Sequence, residues 1–444
     1  MLESLHTRSY CRQARMGRLG VSSTVRRLSL AAVLVASLLA VAGCGGGDGG
    51  GGGTGDAASA SGGSAGAIKV AANVEMTGPG AELGLSRLYG YQAAANAIND
   101  AGGIKVDGDT YQIEVVPCDN ETEPTQGVQC ARKAAEEEGV LLALAPDPGF
   151  ESAYTLLKQK NVPLVFGSGG PVTALLAEDA EGNPSLFNEG YGFDLILEAY
   201  FNQIESLRPD VKTFAALLPQ DDNGVVFDEL FKEAAKTSSI EYLGTVFHPP
   251  AASGDFSSFL TSLKGKNPDM LYLGFYNDVV VPAAEQASNL DVAPVLGAHS
   301  IKPSVLAGAD FRGTTMLDAQ IGGDNAAADA LPAEDKAAFE QIEAASKGKE
   351  FVAAVASNGY IALKVVEQAI QQAGSVDSEA VRQELLNIQY DGPLGPAAVD
   401  AALHAIKVPL STIVFEPNGD VVQTNWDAID ADEPAQTFPI PELG

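Results

Sequence analysis

The chain has 444 residues, 45% of them hydrophobic and 19% charged, which is enough to bury the cores of two domains. Its formal net charge of −31 argues against nucleic-acid binding, because a phosphate backbone calls for a basic surface. An acidic protein working in solution fits that charge.

The amino-terminal residues read as a targeting segment. Arg8, Arg12, Arg15, Arg18, Arg26 and Arg27 form a basic region, and Leu28 to Ala42 is an apolar run of 15 residues. That run is short for a spanning helix and typical of a signal peptide. It ends in Leu39-Ala40-Val41-Ala42-Gly43-Cys44. Small residues directly before a Cys resemble the bacterial lipobox, in which the Cys is lipidated after cleavage; an ordinary signal peptide with a chance Cys is the alternative. Arg26-Arg27 also permits twin-Arg export, and Met16 is an alternative start. Residues 45–66 are almost entirely Gly, Ser, Ala and Asp, from which no core can form, so they read as a flexible tether. Export makes disulfides possible. With Cys11 in the signal and Cys44 taken by lipid, Cys118 and Cys130 remain as a natural pair, either bridged or as two buried thiols.

Ile68 to Val74 is short and apolar enough for a buried strand, and Thr77-Gly78-Pro79-Gly80 breaks it as a turn. Leu88, Tyr91, Ala95 and Ile98 then share one helix face, which Ala101-Gly102-Gly103 ends. Strands are expected at Tyr111–Val116, Val140–Leu144 and Val162–Phe166, with helices at Pro124–Glu138 and Ser152–Lys160 between them. A second cycle runs from Leu186-Phe187 through strands at Thr213–Leu218, Tyr242–Phe247, Met270–Phe275 and Pro294–Gly297. Helices at Phe193–Leu207, Val225–Lys236, Phe256–Leu263 and Val280–Asn289 alternate with them. Such alternation with short loops implies two mostly parallel sheets with helices on both faces. Thr315–Ala319 is expected to cross back to the first copy, Phe351–Ala373 is a long helix, and Glu416-Pro417-Asn418-Gly419-Asp420 signals a hairpin.

Catalytic signatures are missing. The four His are scattered, there is no G-x-S-x-G, H-E-x-x-H or Walker loop, and Gly78, Gly80 and Gly84 miss the dinucleotide fingerprint by one position. Neither an enzyme, nor a cofactor, nor a metal is expected.

The run from Ile68 to Ile104 resembles the type I periplasmic-binding fold, and within it the branched-chain amino-acid-binding proteins of ABC importers. Asn161–Leu164, Gln220–Gly224, Leu271–Tyr276 and Asp391–Pro396 carry the resemblance on to about residue 425. It implies two α/β lobes joined by three crossovers, closing on a ligand in the cleft. The boundaries it suggests are 1–43 signal peptide, 44–66 lipidated Cys and linker, 67–189 plus about 318–388 lobe one, about 190–317 plus 389–430 lobe two, and 431–444 a tail. The implied partners are a small-molecule ligand and the permease and ATPase of an importer. The protein is then a monomer held outside the membrane by lipid alone. A ligand sensor of the same fold is the alternative.

The resemblance also assigns a site. Ligand-facing positions are Thr77, the loop containing Asp147, Pro148 and Gly149, the loop Ser168-Gly169-Gly170, then Asn223, Tyr276 and His299. Ser168 and the glycine N–H groups suit a carboxylate. Asp147 or Pro148 stands where the family has a carboxylate-binding Ser, and Asp147 either repels an anion or caps the next helix. Tyr276 is either a hydroxyl donor or a wall aromatic. His299 takes the place of an acidic residue that receives an ammonium, for which imidazole is a poor partner; otherwise it is structural. These departures suggest a ligand other than a standard branched-chain amino acid.

Overall fold

The computed structural model describes residues 64–146, 149–190, 193–249, 254–274, 277–299, 301, 303–311, 313–321, 332–408, 410–426 and 434–439. Asp147, Pro148, Tyr276, Cys44, the leader and the tether up to residue 63 lie outside them, while Ser64 to Gly66, expected to be tether, open the first strand.

In the first half of the chain, strands β1 (Ser64–Val74), β2 (Ile104–Val106), β3 (Asp109–Asp119), β4 (Val140–Leu144), β5 (Leu164–Gly167) and β6 (Leu186–Asn188) alternate with helices. The helices are α1 (Ala81–Asp100), α2 (Pro124–Glu136), α3 (Phe150–Gln159) and α4 (Gly170–Asp179). The chain then builds a second unit from α5 (Phe193–Leu207), β7 (Thr213–Pro219), α6 (Asp222–Ala234), β8 (Glu241–His248) and α7 (Ser257–Lys264). It continues through β9 (Met270–Tyr272), α8 (Asn277–Asn289), β10 (Val295–His299), α9 (Pro303–Ala307) and β11 (Thr315–Ile321). Helices α10 (Ala333–Ser346), α11 (Ala353–Ala373) and α12 (Ser378–Leu385) follow. Six short strands end the chain: β12 (Gln389–Tyr390), β13 (Ala397–Asp400), β14 (Ala405–Lys407), β15 (Leu410–Phe415), β16 (Val421–Trp426) and β17 (Pro434–Pro439).

Two sheets result, one to a lobe. The first runs β12-β13-β14-β6-β5-β4-β1-β3-β2 and the second β17-β16-β15-β11-β10-β9-β7-β8. Their central strands pair in parallel. In β1, Val70, Ala72 and Val74 pack toward α1 while Ala71 faces the opposite layer, so a strand covered on both sides reads as a continuous apolar run. Leu88, Tyr91, Ala95 and Ile98 are all buried, as the helical spacing required. Helix α1 lies against α11 at very short range. A Cβ on Gly90 would run into the Ala356 carbonyl, and one on Gly359 would stand 2.7 Å from the Arg87 carbonyl.

Three expectations about the later chain need correction. Residues 315–319 do not return to the first lobe: β11 runs parallel beside β10 in the second sheet, so re-entry comes after Ile321 rather than near 318. Residues 389–407 do not belong to lobe two. Strand β14 extends the open β6 edge through Ala405 opposite Asn188, and β13 and β12 add antiparallel strands beyond it. Nor is 431–444 merely a tail, since β17 pairs antiparallel with β16. The crossovers therefore fall after Asn188, between Ile321 and Ala333, and between Lys407 and Leu410. The hairpin signalled at 416–420 does join β15 to β16.

Candidate functional site

In an open parallel sheet, ligands collect at the carboxyl ends of strands, where the strand order reverses. Strand β1 sits between β3 and β4 in the first sheet, and β7 between β8 and β9 in the second. The loops after β1, β4 and β5, and those after β7, β9 and β10, are therefore the cleft-facing ones. Among the described residues, Thr77 follows β1, Gly149 follows β4, Ser168 to Gly170 follow β5, Asn223 lies in the first turn of α6 after β7, and His299 is the last residue of β10.

The loop after β1 is braced by its neighbour. The Thr77 hydroxyl donates to Asp119 Oδ2 at 2.9 Å, and the Met76 and Thr77 N–H groups donate to Asp119 Oδ1 at 3.0 and 3.2 Å. Thr122 donates its hydroxyl to the Thr77 carbonyl and accepts from the Gly80 N–H. Partial burial works to raise the Asp119 pKa, but the donors of Glu121, Met76 and Thr77 outweigh it and hold the carboxyl below its usual range. Thr77 thus serves as a loop tie in this arrangement. The Cys118–Cys130 disulfide is formed, with Cα atoms 5.7 Å apart, and it pins the end of β3 to α2 just before Asp119.

After β4, Gly149 is the N-cap of α3 at φ 77° and supplies no side-chain cap. After β5, the Ser168 hydroxyl accepts a hydrogen bond from Arg87 Nη2. Gly169 turns at φ 89° and Gly170 begins α4. The Gly170 N–H donates to Oδ1 of Asn223, at the start of α6 in the other lobe, at 2.9 Å. Asp221 caps α6 by accepting from the Gly224 N–H at 2.8 Å, which leaves the Asn223 carboxamide to turn outward.

Sequence reasoning missed the group behind Ser168. Arg87, only 8% exposed, stands on α1 with its Nε 2.5 Å from Glu189 Oε1, and the Tyr91 hydroxyl donates to Glu189 Oε2 at 3.0 Å. Burial pushes the Glu189 pKa up, and Arg87 and Tyr91 only partly offset it; burial also holds the Tyr91 phenol far above its usual value. This buried pair joins the Ser168 loop to the first crossover. A lone Arg among the buried positions of α1 was the available signal, but nothing local names its partner.

His299 ends β10 and is 8% exposed. Its Nδ1 lies 2.6 Å from the Tyr272 hydroxyl and its ring stacks on Phe227 at 5.4 Å. Burial lowers its pKa to about 4, so the ring is neutral at pH 7. Among these contacts His299 behaves as part of the aromatic core of lobe two. Among the described residues no group of His, Cys, Asp and Glu could hold a metal, and no helix is long and apolar enough to cross a membrane.

Two doubly wound lobes, three crossovers and strand ends that meet across one cleft define the type I class of two-lobed binding proteins. The chain belongs to the periplasmic binding protein family, whose model matches residues 67–418. It is 24% identical over 383 residues to the Leu/Ile/Val-binding protein homolog 3 of Brucella melitensis, covering 82% of this chain and 92% of that one. It is also 24% identical over 349 residues to a leucine-, isoleucine-, valine-, threonine- and alanine-binding protein of Pseudomonas aeruginosa, covering 76% and 87%. Among solved structures, a leucine-binding protein of Thermotoga maritima superposes with a TM-score of 0.63 at 19% identity, over 85% of this chain and 99% of that one. A branched-chain amino acid transporter substrate-binding protein of Streptococcus pneumoniae, in complex with isoleucine, gives 0.62 at 19%, over 84% and 99%.

Proposed function

We propose that the protein is the extracytoplasmic solute-binding lipoprotein of an ABC importer. It captures a small polar metabolite, an amino acid or a related compound, in the cleft and delivers it to the permease and ATPase. The observation that carries this reading is the approach of the two lobes at the carboxyl ends of their strands, where Gly170 of one meets Asn223 of the other at 2.9 Å. Lipid on Cys44 and the glycine-rich tether would keep the receptor beside its transporter. Loss of the protein from the membrane fraction in Cys44→Ala would support that part.

The ligand reading follows from charge. The resemblance places an ammonium-binding acid where this chain has His299, and that ring is neutral and committed to Tyr272 and Phe227. The ammonium of an α-amino acid would meet a neutral imidazole at that position. An amide, a urea-like compound or a carboxylate without the amino group fits better, with Ser168 and the neighbouring N–H groups as its anchors. Native mass spectrometry of protein purified without refolding should find such a compound bound. Calorimetric titration showing micromolar or tighter binding of leucine, isoleucine or valine would overturn this choice of ligand.

A further inference from the structure

The first turn of α4 is capped from the wrong lobe. A helix leaves its first N–H groups without internal partners, and a side chain just before the helix usually accepts from one of them. Here the preceding residue is Gly169, which has no side chain to offer, and Pro171 carries no N–H. The Gly170 N–H is instead received by the Asn223 carboxamide, across the cleft. Contact at this point is also tight: a Cβ on Gly170 would lie 2.7 Å from Val226 Cβ on α6. Gly170 has no positive φ, so its missing side chain answers to the neighbouring lobe and not to the backbone.

We infer that Asn223 is a closure residue: its carboxamide caps α4 in trans and holds the two lobes together in the closed form. This gives Asn223 a role that acts through the closed-to-open ratio, besides the ligand contact the resemblance assigns to it. Ligand affinity follows that ratio, since the apparent dissociation constant rises as the competent fraction falls. Gly170 belongs to the same device, because only a residue without Cβ lets α6 approach.

The inference rests on the two-lobed reading, and its test uses no ligand, so its failure is distinct from a mistaken ligand. The full-length protein carries one dye on each lobe, and single-molecule energy transfer gives the closed fraction. Asn223→Ala removes the acceptor and should lower the closed-to-open ratio roughly fivefold, the worth of one neutral hydrogen bond. Gly170→Ala keeps the bond but adds a methyl group against Val226, and should lower the ratio by about fivefold or more, while suiting α4 itself. Asn223→Asp keeps an acceptor at the helix N-terminus and should hold the ratio at or above the parent value. An unchanged closed fraction in Asn223→Ala overturns the inference, as does an Asn223→Asp protein that opens like the alanine variant.

Discussion

Acidification should weaken the second lobe through His299. In the unfolded chain its imidazole takes up a proton near pH 6.5; in the folded protein burial delays that to about pH 4. Between those values the unfolded state binds more protons, so stability rises with pH across the window. The contribution is complete above pH 6.5 and lost as pH falls to about 4. At roughly 1.4 kcal/mol per pKa unit, the shift amounts to about 3 kcal/mol. Geometry supplies the cause. Protonation forces Nδ1 to donate toward Tyr272, 2.6 Å away, and places a cation among Phe227, Tyr272 and their neighbours without water to solvate it. Carboxylates and His404, whose pKa burial also lowers, titrate over the same range, so the informative quantity is a difference. Urea unfolding of the parent and of His299→Gln should be followed from pH 4 to 7. The stability gap should shift by about 3 kcal/mol toward the variant as pH falls. A gap independent of pH, or a His299 ring resonance titrating near 6.5, would refute the reasoning.

Arg87→Ala leaves Glu189 charged and buried without its guanidinium and should cost about 3–5 kcal/mol in urea unfolding, whereas replacing both partners by Met should cost much less. A double-variant loss equal to the sum of the Arg87→Met and Glu189→Met losses would mean that the pair is not coupled. Removing the Cys118–Cys130 bridge, which spans a sequence separation of 12, should cost about 3 kcal/mol, read as a lower melting temperature under reducing conditions. An alanine at Gly90 must push α1 away from the Ala356 carbonyl, and should destabilise lobe one by at least about 1–3 kcal/mol in the same assay.

Much of this protein is written locally. The apolar run of β1 and the face of Leu88, Tyr91, Ala95 and Ile98 fix a strand and a helix wherever they pack, because side-chain period is set by backbone geometry. The Cys118–Cys130 pair was legible for a similar reason: one end of β3 and the next helix are close in sequence. Strands β12 to β14 were not legible, since a short apolar strand carries no label for the sheet it joins. The free edge of β6 decided that, and it exists only once lobe one has assembled. The site divides the same way. Its loops could be placed by counting strands: Ser168 follows β5 directly, and Gly170 and Asn223 lie in the first turns of α4 and α6. That Ser168 rests on Arg87, that Arg87 answers Glu189, that His299 turns to Tyr272 and that Asn223 reaches Gly170 are pairings between distant segments. Only tertiary packing brings them within a hydrogen bond, and burial then raises the Glu189 pKa and keeps His299 neutral.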